Sequence, residues 1–254
     1  MASAEKPGRP LAPQRSRARP APSFDVRMNR IVALLPEGDA SKLEAAGKLV
    51  AFEVGQVLQE AGEEITQVYF PISGVLSVLA VLATGEAVEA ASVGREGMAG
   101  LPVFLGARIA TTRTSVQVAG QALVLDAPAF RAELQRESGK LAVLMARYTE
   151  IMFMSAAQGV ACNRLHPLAE RLARAILTWH DRLGSNVLPV TQDALADALG
   201  VRRAGVTAAI TEFVRAKAIR RGRGRLYLER RDLLEGRACE CYDLLQDAYR
   251  RPIG

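Results

Sequence analysis

The sequence predicts an α+β chain: a strand-rich front half folded as a β-sandwich, one long helix, and a winged helix-turn-helix at the back. Three observations carry this. Residues 48–126 hold short apolar runs punctuated by nine glycines, from Gly55 to Gly120. Residues 138–162 change to a helical period with an apolar stripe. Leu188 to Val214 then spells two short helices meeting at a glycine, followed by an arginine-rich hairpin.

Taken in order, residues 1–23 carry five of the twelve prolines together with Arg9, Arg15, Arg17 and Arg19. So few apolar residues cannot offset chain entropy, and the expectation is a disordered basic tail. Residues 24–47 are expected to be helical, with Ile31, Leu34, Leu35 and Leu43 as the apolar positions. Strands are expected at Val68–Phe70, Val75–Leu82, Ala87–Val93 and Thr114–Val118, in an antiparallel sandwich. The front domain is thus placed at 24–136.

Residues 137–163 form the long helix. Leu141, Leu144, Tyr148, Ile151, Ser155, Gln158 and Cys162 recur at alternating spacings of three and four. Such a stripe over three heptads reads as a parallel coiled-coil seam, which Ser155 and Gly159 would let close tightly. The alternative is that the stripe packs on the chain's own sandwich. The seam reading predicts a homodimer.

Residues 164–235 are expected to be the winged helix-turn-helix, and 236–254 a partly helical tail. Thr191 is an N-cap by type, beside Gln192. Ala194, Leu195, Ala198 and Leu199 give one helix an apolar face, and Gly200 ends it. In the second helix Val206, Ile210, Phe213 and Val214 point inward, leaving Arg202, Arg203, Thr207 and Thr211 outside. Arginine can bond two guanine acceptors at once and threonine can meet a base edge or a thymine methyl, so this face suits the major groove of double-stranded DNA. Between Gly200 and Arg231 ten basic residues face two acids, a net of +8 in a chain whose total is +6. A wing laying Arg223 and Arg225 along phosphates would add sequence-independent affinity.

Two histidines, no nucleophile motif, no paired carboxylates and no phosphate-cradling loop argue against an enzyme. No apolar run approaches the roughly twenty residues a membrane span needs, and there is no secretory core. The expectation is a cytoplasmic protein with no membrane partner. The odd count of three cysteines, Cys162, Cys239 and Cys241, argues against a structural disulfide. With His166 they offer the ligand types of a Cys3His zinc site. Pro167 is expected to break the helix holding the first pair, and C-x-C is not the usual ligand spacing, so inert thiols are expected, with no metal and no cofactor.

These parts in this order resemble a regulator of the cyclic-AMP-receptor and fumarate–nitrate-reductase (Crp/Fnr) family across residues 30–235. The front match is Phe52-x-x-Gly55-x-x-Leu58-x-x-x-Gly62 and Val68-Tyr-Phe-Pro-Ile-Ser-Gly74. The back match is Thr191-Gln-Asp-Ala-Leu-Ala-Asp-Ala-Leu-Gly-Val-Arg-Arg-Ala-Gly-Val206. The resemblance implies an eight-stranded cyclic-nucleotide-binding-like sandwich, a dimer helix, and a transcription regulator whose further partner is RNA polymerase.

Departures limit the resemblance. Nucleotide-binding members hold the cyclic phosphate with a Gly-Glu pair and a later Arg-Ser/Thr pair; the nearest residues here are Glu96 and Arg113-Thr114. Aligned back from Val116, Thr112 takes the clamping position, which turns Arg113 to the opposite face of its strand. The expectation is an effector other than cyclic AMP, or none. The alternative is a regulator that does bind cyclic AMP or a cyclic dinucleotide. No cysteine cluster precedes the sandwich, as iron–sulfur sensing would need. In the reading helix the family's Arg-Glu-x-x-x-Arg is reduced to Arg203.

Overall fold

The computed structural model describes residues 25–136 and 138–250. The stretch 1–23, expected as a disordered tail, lies outside the described residues.

Helices α1 (Arg30–Ala33) and α2 (Glu37–Ala46) open the front domain. Asn29 caps α1 through its side-chain oxygen, while its amide donates to the carbonyls of Pro71 (2.9 Å) and Gly97 (2.8 Å). Ile31, Leu35 and Leu43 are buried as their spacing predicts, and Leu34 is exposed.

The strands are β1 (Lys48–Phe52), β2 (Val57–Gln59), β3 (Gln67–Pro71), β4 (Val75–Val81), β5 (Ala87–Val93), β6 (Arg113–Val118) and β7 (Gly120–Asp126). They make two antiparallel sheets, β1-β7-β3 and β2-β6-β4-β5. The resemblance implies eight strands. Among the described residues seven are continuous, and the pairings Glu64–Ile109 and Tyr69–Ala99 are single bridges. Alternation sorts the side chains: Ala122 and Val124 of β7 join Phe52, Leu76, Val93 and Val116 in one core cluster. Leu123 and Leu125 join Phe70 in a second, with residues from the helices.

Helix α3 (Ala127–Leu134) leads to the long helix α4 (Lys140–Leu165). Here the structure corrects the sequence. Leu141, Leu144, Tyr148 and Ile151 are 6%, 0%, 1% and 8% exposed and belong to the chain's own core, with Phe70, Phe130 and Leu125. The Tyr148 hydroxyl donates to the Met98 carbonyl (3.1 Å), and a Cβ on Gly97 would collide with the Tyr148 side chain. The stripe therefore docks the helix on its own sandwich and is not a seam between chains. Ser155, also expected in the seam, has a buried hydroxyl with no hydrogen-bond partner among the described residues. The opposite face carries Val143, Phe153 and Val160 at 51%, 77% and 74% exposure.

Past His166-Pro167 comes α5 (Leu168–Leu183), then β8 (Val187–Leu188), α6 (Gln192–Leu199), α7 (Arg203–Arg215), β9 (Ile219–Gly222), β10 (Arg225–Leu228), α8 (Arg231–Glu235) and α9 (Cys241–Arg250). Leu172, Ile176 and Trp179 of α5 share one core with Leu195, Val206, Ile210 and Phe213. No described helix is long and apolar enough to cross a membrane.

Candidate nucleic-acid interface and the junction behind it

The reading unit forms because its caps are local. The Thr191 hydroxyl accepts from the Ala194 N–H (3.1 Å), satisfying an orphan donor of α6. Gly200 ends α6 in the left-handed region (φ 62°), which glycine adopts without a Cβ penalty. Arg202 is the N-cap residue of α7 and Arg203 its first residue. Val206, Ile210 and Phe213 turn into the core, leaving Arg202 and Arg203 outside and Thr207 and Thr211 half-buried.

The two helices are tied at their outer ends. Thr207 donates to the Gln192 side-chain oxygen (2.6 Å), and Arg203 pairs with Asp193 (3.4 Å). Both partners of that ion pair are well over half exposed, so it contributes little and Arg203 can exchange Asp193 for another acceptor. The wing is the hairpin β9–β10, paired from Arg225–Gly222 to Leu228–Ile219, with β8 on its other side. Arg202, Arg223 and Arg225 are exposed and make no side-chain hydrogen bond or ion pair among the described residues. They are available to phosphates. Arg220, by contrast, pairs with Glu229 (3.0 Å) and stacks 3.8 Å over Tyr227. Arg221 donates to the Thr211 hydroxyl, linking wing to reading helix. In sequence Arg220, Arg221, Arg223 and Arg225 of the hairpin form one basic run; only contacts across the hairpin separate their roles.

Behind this face the reading unit sits on the front domain. Gln117 of β6 donates to the Ala194 carbonyl (3.3 Å). Arg182 of α5 donates to Glu96 (2.7 Å) and to the Ser92 hydroxyl; its side chain is 8% exposed and that of Glu96 14%. Glu96 also accepts from the Gly94 N–H (3.0 Å). Nearby Glu89 is held above the usual carboxylate range by burial, against the opposing hydrogen bonds of Ser77 and Ser92 and the charges of Arg182 and Arg174. A cavity of about 420 Å³ opens here, lined among others by Glu89, Ser92, Glu96, Arg174, Arg182 and Tyr249. Of the three effector residues expected from sequence, only Glu96 reaches it. Arg113 pairs with Glu60 (2.8 Å) on the outer side of β6, while Thr114 is turned inward and buried. The three are not brought together. The junction residues Arg182 and Tyr249 had no signal in the sequence, because their partners lie far away along the chain.

The cysteines need a correction too. Pro167 does end α4 as expected, with His166 already extended (φ −101°, ψ 141°), but the break does not part His166 from Cys162. Helix α4 runs to Leu165, the His166 N–H bonds the Cys162 carbonyl (3.1 Å), and Pro167 starts α5. Cys162, His166, Cys239 and Cys241 are gathered, with one ligand atom of each within 4.8 Å of all the others.

Residues 49–137 match the cyclic nucleotide-binding domain family and residues 170–237 the Crp-like helix-turn-helix domain family. No curated protein matches the chain. Among solved structures it is similar to FixK2 of Bradyrhizobium japonicum (14% identity, 76% of this chain and 98% of that one, TM-score 0.66). It is also similar to TTHA1359 of Thermus thermophilus, a CRP/FNR family transcriptional regulator (23% identity, 75% and 98%, TM-score 0.59). A third is CLP of Xanthomonas campestris, a c-di-GMP responsive global regulator (11% identity, 76% and 99%, TM-score 0.63). With a cyclic nucleotide-binding domain in front, a long helix between and a Crp-like helix-turn-helix behind, the chain belongs to the Crp/Fnr family of DNA-binding transcription regulators.

Proposed function

We propose that the protein is a homodimer that reads a two-fold DNA site through α7 and the wing, meets RNA polymerase there, and answers to an effector other than cyclic AMP. The observation that carries the DNA reading is the exposed face shared by Arg202, Arg203, Thr207, Arg223 and Arg225. Arg203 stands at the N-terminal end of α7, where a helix laid in the major groove meets base edges.

The dimer is assigned to the outer face of α4. Val143, Ala146, Phe153, Ala157 and Val160 are exposed and recur at the three–four spacing of a coiled-coil seam, with Glu150 at the remaining position. An apolar line of this kind on a helix whose other face is already packed supports pairing with a second copy. The small residues Ala146 and Ala157 permit close approach. As for the effector, Arg113 is committed to Glu60 and Glu96 to Arg182. Neither is free to hold a cyclic phosphate and its ribose, which is what argues against cyclic AMP.

Arg203→Ala tests the reading role. Loss of a bidentate guanine contact is expected to weaken the preferred site by about 1–3 kcal/mol and relax selectivity at one base pair. Binding to random duplex should change far less. An equal loss on both, measured by fluorescence anisotropy at one salt concentration, would leave Arg203 only a phosphate contact.

A further inference from the structure

We propose that Cys162, His166, Cys239 and Cys241 form a structural zinc site that fastens the C-terminal segment to the end of the long helix.

The distances are those of one tetrahedral ion. Zinc bonds of about 2.3 Å to sulfur and about 2.0 Å to nitrogen place two sulfurs about 3.8 Å apart, and a sulfur and a nitrogen about 3.5 Å apart. The Cys162 and Cys239 sulfurs are 3.6 Å apart, and the Cys241 sulfur lies 3.5 Å from His166 Nδ1. Both separations are edges of such a tetrahedron, and all four ligand atoms fall within 4.8 Å of one another. An iron–sulfur cube would hold its ligands further apart. The protein supplies four ligands, so no position is left for water, as in structural and not catalytic zinc sites.

The surroundings suit the ion. The ring nitrogen of His166 that faces away from Cys241 meets the Glu240 carboxylate at 3.2 Å. A carboxylate there fixes the tautomer that leaves Nδ1 free to ligate. Gln158 donates to the Cys241 sulfur (3.0 Å). Three thiols give up three protons to bind Zn²⁺, and with a neutral imidazole the assembled site carries one net negative charge. The charges of Arg171 and Arg174 act on Cys162, and both have a buried Nε with no hydrogen-bond partner among the described residues. Cys162, Cys239 and Cys241 are 0%, 4% and 0% exposed, in a small cluster of their own separate from the larger cores.

Spacing explains why each pair fits. Cys162 and His166 stand four residues apart at the end of α4 and share one face. Cys239 and Cys241 straddle the start of α9, whose far end reaches the front domain where Arg30 donates to the Tyr249 carbonyl. The ion would therefore tie the start of α9 to the end of α4, beside the break at His166-Pro167.

The test uses the full chain, expressed with added zinc and purified under reducing conditions without chelator. Mass-spectrometric metal analysis is expected to find one zinc per chain, released when a mercurial blocks the thiols. Cys239→Ser and Cys241→Ser should each lose most of it. Glu240→Gln should keep the stoichiometry and weaken zinc affinity about 10–100-fold in competition with a chromogenic chelator. Should the serine variants not fold, the wild-type chain still decides: loaded with Co²⁺ it is expected to show thiolate charge-transfer bands and the intense visible bands of a tetrahedral ion. Folded wild-type protein that takes up neither metal would overturn the proposal, as would bound iron with sulfide, or a Cys162–Cys239 disulfide that survives the reducing conditions.

Discussion

Leu144→Asp is expected to abolish folding, whereas Phe153→Lys is expected to leave a folded monomer. Leu144 is 0% exposed in the core shared by the sandwich and α4. Truncating a buried leucine alone costs about 2–5 kcal/mol. A carboxylate with no partner there adds its desolvation, and together they approach the roughly 5–15 kcal/mol by which domains are stable. Phe153 is 77% exposed, so lysine there costs a single chain nothing. In the dimer it would bury two like charges across the two-fold axis. Circular dichroism and sedimentation velocity on both variants separate the two faces. A folded, monomeric Leu144→Asp protein would instead make the inner stripe the dimer seam.

Glu96→Ala is expected to cost about 3–5 kcal/mol, the size found when one partner of a buried ion pair is removed. It would strand the Arg182 guanidinium at the junction, where its side chain is 8% exposed. Glu89 offers no ready replacement, since its carboxylate accepts from Ser77 and makes no ion pair with Arg182. The double variant Glu96→Ala/Arg182→Met removes both charges and should recover much of the loss, because an apolar pair of similar volume can replace a buried ion pair. Urea denaturation of the two variants reads this directly. A single variant within about 0.5 kcal/mol of the parent would show that the pair is solvated and does not hold the reading unit to the front domain.

What was legible in the sequence was local. The N-cap at Thr191, the left-handed glycine at 200 and the inward set Val206, Ile210 and Phe213 depend on neighbours within one or two turns, and the structure has them as read. The outward turn of Arg113 follows from strand alternation counted back from Val116, and its side chain does lie on the face away from Thr114. The dimer stripe failed for a different reason. Helix α4 is apolar on two faces, and a three–four spacing fits Leu144, Tyr148 and Ile151 as well as it fits Val143, Phe153 and Val160. Only the sandwich decides which face it covers. The cysteine cluster failed because Cys162 and Cys239 are far apart in sequence, and because a helix that ends at Leu165 still holds the His166 N–H on the Cys162 carbonyl, so the break at Pro167 does not separate the pair. The Arg182–Glu96 lock joins two domains, and no spacing rule reaches that distance.

The central claim is that two copies of this chain read a two-fold DNA sequence. Selection of binding sites from a random-sequence duplex pool by the full-length protein tests it most directly. The expected product is an inverted repeat with half-sites about one helical turn apart, roughly 10–10.5 base pairs centre to centre. Its enrichment should be lost with Phe153→Lys and altered at a single position per half-site with Arg203→Ala. A pool that stays random while the protein binds every duplex alike in low salt would contradict sequence reading and leave only the basic wing on phosphates.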